Sequence, residues 1–122
     1  MPRHHLSPPL CQSAAPLSHY VETETSGYTA GIIGQRPDTA ELVSDDAFQQ
    51  CDAMLSNSQI LLYEQGRTLG DLLHSTVYLT HYGEFTAINE VYARRLSEWY
   101  AAHTTVQAAA LPRWAPKCRL NH

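Results

Sequence analysis

Basic residues are scarce in this chain. Its one lysine is Lys117, and Lys and Arg together number 8 against 12 Asp and Glu, a formal net charge of −4. Nucleic-acid binders draw affinity from neutralising phosphates along a basic stripe, and none is written here, so nucleic acid is not expected as a partner. Long apolar runs are missing too: no stretch approaches the ~20 residues that cross a bilayer, so no membrane role is expected. Cysteine is limited to Cys11, Cys51 and Cys118. An odd count, wide spacing and no secretory leader point to reduced thiols and a cytoplasmic location. Seven histidines raise the question of a metal. His4-His5 sit in a proline-rich arm, and neither His-Glu-x-x-His nor Cys-x-x-Cys occurs, so no metal is expected. With no Gly-x-Gly-x-x-Gly and no phosphate loop, a nucleotide cofactor is not expected either.

What is present suits one folded domain. The chain has 122 residues, 43% hydrophobic and 16% charged, which is enough to close a core without disulfides. Residues 1–16 carry Pro2, Pro8, Pro9 and Pro16 and read as an irregular arm; residues 17–122 read as the domain. Ser18 to Thr23 and Tyr28 to Ile33 read as a β-hairpin about a turn ending in Gly27. Ser44 or Asp45 can cap a first helix, whose apolar face includes Ala47, Cys51, Leu55 and Leu62 and which stops at Gly66. Asp71 to Thr80 reads as a strand, and Glu84 to Trp99 as a second helix with Phe85, Ile88, Tyr92, Leu96 and Trp99 on one side. Thr104 to Leu111 and Lys117 to His122 complete the order β-β-α-β-α-β-β. This is an α+β chain with one mixed sheet and two helices on one face. The second sheet face needs a cover that one chain does not supply, which predicts an oligomer.

These pieces, in this order, resemble the Rid/YjgF family of reactive-intermediate (enamine/imine) deaminases. The resemblance rests on Gly34-Gln35 with Pro37 and Thr39; on Gln49-Gln50, Asn57 and Gly66; on Thr76-Val77-Tyr78-Leu79 with Phe85, Asn89 and Tyr92; and on Leu111-Pro112-Arg113. It runs from Pro16 to the last residue. It implies a chorismate-mutase-like fold and a homotrimer with small-molecule clefts between subunits. It also implies hydrolysis of imines or enamines without a metal or organic cofactor.

The same resemblance marks departures. The family's deaminases grip the substrate carboxylate with an Arg of a Pro-Ala-Arg-Ser motif; here Ala101-Ala102-His103-Thr104 stands in its place. A His offers at most two donors and is mostly neutral near pH 7, so substrate binding falls by about 2–5 kcal/mol for a carboxylate ligand. Aligned without gaps, Cys118 takes the position of a water-positioning Glu, while a one-residue slip brings Lys117 or Arg119 there instead. Leu17 replaces a Tyr at the cleft mouth, and Ile33 the Ser of Ser-Gly-Gln.

The candidate catalytic residues are therefore His103, Asn89 and Cys118, and the candidate substrate-binding residues are Leu17, Tyr20, Ile33, Gln35 and Thr105. Each also has a plainer reading: a surface histidine, a solvent-facing asparagine, a buried inert thiol, a sheet aromatic. The favoured function is a deaminase-like hydrolase with a diverged site, acting on a labile intermediate in a dedicated biosynthetic pathway, by hydrolysis, tautomerisation or cyclisation. The alternative is a non-catalytic metabolite-binding or regulatory protein using the same cleft.

Overall fold

The computed structural model describes residues 2–10, 16–39, 41–96 and 102–109, and the backbone of 118–121. The strands are β1 (Arg3–His5), β2 (Tyr20–Glu22), β3 (Gly27–Thr29), β4 (Ile32–Ile33), β5 (His74–Leu79), β6 (Ala102–Gln107) and β7 (Cys118–Asn121). The helices are α1 (Ala47–Tyr63) and α2 (Phe85–Arg95). The α+β class is as expected. Among the described residues, however, the ladder falls into two hydrogen-bonded sheets, β1-β2-β3 and β4-β7-β5-β6, rather than one.

The division arises where one strand was expected from Tyr28 to Ile33. The hairpin ladder continues as far as the bond from the Ala30 amide to the His19 carbonyl, 2.9 Å. After Gly31 the chain leaves β2, and Ile32 and Ile33 pair antiparallel with Leu120 and Arg119 of β7. Gly27 opens β3 because a side chain has no room there: a Cβ would lie 2.0 Å from the Tyr20 hydroxyl.

The N-terminal arm is not irregular throughout. Arg3–His5 pairs antiparallel with β2 and gives the hairpin a third strand. No apolar alternation announces this strand. It is held by tertiary contacts: Arg3 Nε to Glu22 at 2.5 Å, a bond from Arg3 to Gln65, and His5 Nε2 to Glu64 at 3.1 Å.

The first helix begins one residue beyond the expected caps. The Asp46 carboxylate accepts the Gln49 amide at 2.9 Å, and Ser44 in turn accepts the Asp46 amide. The helix ends as its glycine predicts: Gly66 takes φ 71°, and the Arg67 amide reaches back to the Leu62 carbonyl at 2.9 Å. The second helix stops earlier than expected. Leu96 is extended (φ −109°, ψ 145°) and turns its side chain into the core, at 7% exposure. Trp99 lies outside the described residues.

Period-two burial on β5 sets the layers. Ser75, Val77 and Leu79 are buried, while Thr76 and Tyr78 on the opposite face are half-buried. Met54, Leu55, Ile88, Val91 and Tyr92 close over the buried face from α1 and α2. The unit β5-α2-β6 is a crossover joining two parallel strands, and β6 forms one edge of the four-stranded sheet, with β4 at the other.

Candidate functional site

Strand β6 carries His103 out of the core onto a sheet edge. Its backbone is paired with Ser75 of β5, so the two side chains share the helix-covered face. The imidazole stacks on the Tyr92 ring of α2, with centroids 4.7 Å apart and planes at 23°. The Tyr92 hydroxyl hydrogen-bonds the Ser75 hydroxyl beneath it. Thr105 Oγ1 stands 3.1 Å from His103 Nε2, and Thr104 Oγ1 stands 3.5 Å from His74 Nε2. Partial burial, and secondarily the neighbouring His74, hold the His103 imidazole below its ordinary range. Near neutral pH it is an uncharged ring that can accept or donate one proton. Burial raises Tyr92 against the opposing hydrogen bond from Ser75, so its hydroxyl stays protonated.

A second element of the candidate set lies on the opposite edge. The Ile33–Gln35 turn is pinned by Asn57 of α1, whose side-chain amide donates to the carbonyls of Ile33 (3.2 Å) and Gln35 (3.0 Å). Gly34 is a packing requirement here, since a Cβ would lie 2.3 Å from the Gln50 carbonyl oxygen. Beside this turn, Gln35, Arg36, Phe48, Gln49, Asp52 and Ser56 are among the residues lining an open groove of about 490 Å³. His103 is not among the lining residues.

Thr105 joins His103 directly. Asn89 is exposed on α2, one turn before Tyr92, a spacing that places both on neighbouring parts of the helix surface. Leu17 is 42% exposed. Tyr20 and Ile33 are 3% and 8% exposed, so within one chain both belong to the interior. Tyr20 carries the Arg3 guanidinium 5.9 Å above its ring and bonds Glu22. The backbone of Cys118 pairs with Leu79 and that of Arg119 with Tyr78. Lys117 lies outside the described residues. His103 and Cys118 flank β5 on opposite sides and pair four residues apart along it, a separation of ~16 Å from standard strand spacings. One chain therefore does not bring them together.

Ser75, Tyr92 as a stacking partner, and Asn57 as the anchor of the turn were not singled out from sequence. Tyr92 had a signal in its i+3 relation to Asn89. Ser75 had none, because its place beside His103 follows from the parallel register alone. Among the described residues, no three His, Cys, Asp or Glu side chains gather as metal ligands would.

Sheet, crossover and helix pair together define a fold shared with solved structures. The family model described as Endoribonuclease L-PSP matches residues 9–117. A RutC family protein of Pyrococcus abyssi is 32% identical over 98 residues, covering 80% of this chain and 77% of that protein. The human 2-iminobutanoate/2-iminopropanoate deaminase is 29% identical over 98 residues, covering 80% of this chain and 72% of the relative. The crystal structure of RidA from an Antarctic Psychrobacter superposes with a TM-score of 0.91 at 27% identity, over 98% of this chain and 95% of that one. The chain belongs to the Rid/YjgF family.

Proposed function

We propose that this protein is a RidA-like enzyme that hydrolyses a neutral imine or enamine lacking the usual carboxylate, in a cleft between subunits of a homotrimer. The carrying observation is the split of the candidate residues between opposite sides of β5. His103 and Thr105 lie on the β6 edge, while Ile33, Gln35 and Cys118 lie on β4, its turn and β7. Joining the β6 edge of one subunit to the β4–β7 side of the next reunites them, and repeated head-to-tail contacts of this kind close into a ring. The human relative's name, a 2-iminobutanoate/2-iminopropanoate deaminase, supports the reaction class.

The chemistry follows from an uncharged imidazole. His103 takes a proton from water as its oxygen bonds to the imine carbon and returns it to the nitrogen, giving a carbinolamine; it then carries the hydroxyl proton to the nitrogen, so that the C–N bond breaks, amine or ammonia leaves and the carbonyl forms. A neutral ring stacked on Tyr92 offers no charge to a carboxylate, which favours uncharged substrates. Such selectivity fits a dedicated pathway better than general clearance of 2-imino acids. The net charge of −4 weighs against RNA as substrate, despite the family model's description.

Three measurements test this reading. Hydrolysis of N-benzylidenemethylamine, a neutral imine, should be accelerated, and His103→Ala should lose about tenfold or more of that rate. 2-Iminobutanoate generated in situ should be turned over poorly; a clear preference for it would overturn the substrate class. Native mass spectrometry should find a trimer, and a monomer at micromolar concentration would remove the cleft itself.

A further inference from the structure

His103 is held in place by side chains to which the proposed reaction gives no task. Its backbone pairs with Ser75, the Ser75 hydroxyl bonds the Tyr92 hydroxyl, and the Tyr92 ring lies against the His103 ring. The three contacts form a closed loop across β6, β5 and α2. Ser75 is fully buried and Tyr92 is 5% exposed, so both are fixed by the core. His103, on the edge strand, is exposed. A buried hydroxyl pair would satisfy its own hydrogen bonding anywhere in a core. This one sits under the exposed imidazole, and its aromatic face is the surface against which that imidazole rests.

Rotation within the ring plane is set separately. Thr105 Oγ1 engages Nε2 at 3.1 Å, whereas Nδ1 has no hydrogen-bond partner among the described residues. One face of the ring is covered by Tyr92 and one nitrogen is occupied by Thr105.

We propose that Ser75 and Tyr92 are positioning residues that fix the plane of the His103 imidazole, with Thr105 setting its rotation so that Nδ1 is the nitrogen presented to the ligand. This rests on the reading of His103 as the acting group. Precise orientation matters because an acid–base group works only within hydrogen-bond reach of the proton it moves, and a misplacement of ~1 Å costs on the order of a hundredfold in rate. The ionisable neighbours of the ring are Tyr92 on α2, stacked on it, and His74 on β5, which acts on it through charge.

The test uses the full chain with 15N-labelled histidine, the His103 signals being assigned by their loss in His103→Gln. Ring-proton shifts report stacking, and long-range 1H–15N correlations report the tautomer. In the wild type the His103 ring protons should be shifted upfield by Tyr92, with one tautomer dominant. Tyr92→Phe should keep part of the upfield shift, reduced as in Ser75→Ala because both break the hydroxyl pair; Tyr92→Leu should abolish it and lower kcat on N-benzylidenemethylamine by about tenfold or more, with KM changed less than about threefold. Thr105→Val should mix the tautomers. Ser75→Ala, a smaller change, serves if Tyr92→Leu fails to fold, and should reduce the upfield shift. Unchanged His103 signals in Ser75→Ala and Tyr92→Leu would overturn the positioning role, as would an unchanged kcat once the ring has moved. A wild type inactive on the imine would count against the proposed function, and the NMR signals alone would then decide the positioning.

Discussion

Two asparagines on the two helices should respond in opposite ways to truncation. Asn57 is 6% exposed and donates both amide hydrogens to backbone carbonyls of the Ile33–Gln35 turn, at 3.2 and 3.0 Å. Asn57→Ala removes both bonds, while the Ile33 carbonyl keeps the Gln35 amide at 2.9 Å. Each net hydrogen bond is worth ~0.5–1.5 kcal/mol. The void left by the amide adds a smaller loss. Together these give about 2–3 kcal/mol, against which the better helix propensity of Ala returns ~0.5 kcal/mol. For a domain of this length each kcal/mol lowers Tm by ~4 °C, so a fall of about 6–10 °C is expected. Asn89 is exposed, and Asn89→Ala should leave Tm within about 2 °C. Both variants should be melted at one fixed protein concentration, because subunit association contributes to Tm by mass action. An Asn57→Ala variant that melts within 2 °C of the wild type would refute the view that this amide anchors the turn.

Gly34→Ala should be at least as damaging as Asn57→Ala, since its Cβ would stand 2.3 Å from the backbone oxygen of Gln50; hydrogen exchange should speed up at the amides of Gly34 and Val43, the latter now bonded to the Gly34 carbonyl. Arg95 ties α2 to α1 through Asp52 (2.7 Å), Ser56 (3.1 Å) and Gln59 (3.1 Å). Because Asp52 is 52% exposed and the pair is screened, Arg95→Ala should cost only ~1 kcal/mol in urea denaturation, and less of it at high salt. The depressed His103 gives a signed pH dependence: its neutral form is the one the fold favours, so its share of stability is complete above the ordinary His value and is lost as pH falls through the folded-state value. Melting curves taken downward from pH 7 should therefore fall less steeply in His103→Gln than in the wild type, and identical slopes would dismiss the shift.

Much of the fold was legible where local chemistry and tertiary demand agree. Gly66 ended α1 because a left-handed residue closes a helix whatever surrounds it, and β5 alternated because one of its faces meets both helices. Legibility failed where pairing came from elsewhere in the chain. Arg3-His4-His5 carries no strand signal, and its partners Glu22, Glu64 and Gln65 are far away in sequence. Ile32-Ile33 read as the continuation of a hairpin because its apolar character suits either sheet; the choice of β7 as partner is long-range. At the site, His103 stood out by comparison with a family motif, yet its stacking partner and the serine beneath it depend on the β5–β6 register. Tyr20, read as a cleft residue, is 3% exposed within one chain and carries Arg3 of the arm strand over its ring, a contact that no local sequence signal announces.

The anchoring residues and the proposed site residues also differ in what the fold asks of them. Asn57, Gln50, Gly34 and Arg95 bind α1 to its neighbours and shape the Ile33–Gln35 turn from behind. His103, Thr105 and Asn89 contribute little apolar burial and stand at a sheet edge or on an outer helix surface. A residue so placed can be exchanged at small cost in stability, because surface substitutions usually move it by only about ±0.5 kcal/mol. This is how a scaffold that superposes at a TM-score of 0.91 on RidA at 27% identity can present an imidazole at an edge position without disturbing the core. The core holds Ser75 and Tyr92, and Tyr92 carries the His103 ring. On the proposed reading of His103, ligand preference can change at that position while the demands of folding retain the Ser75–Tyr92 platform beneath it.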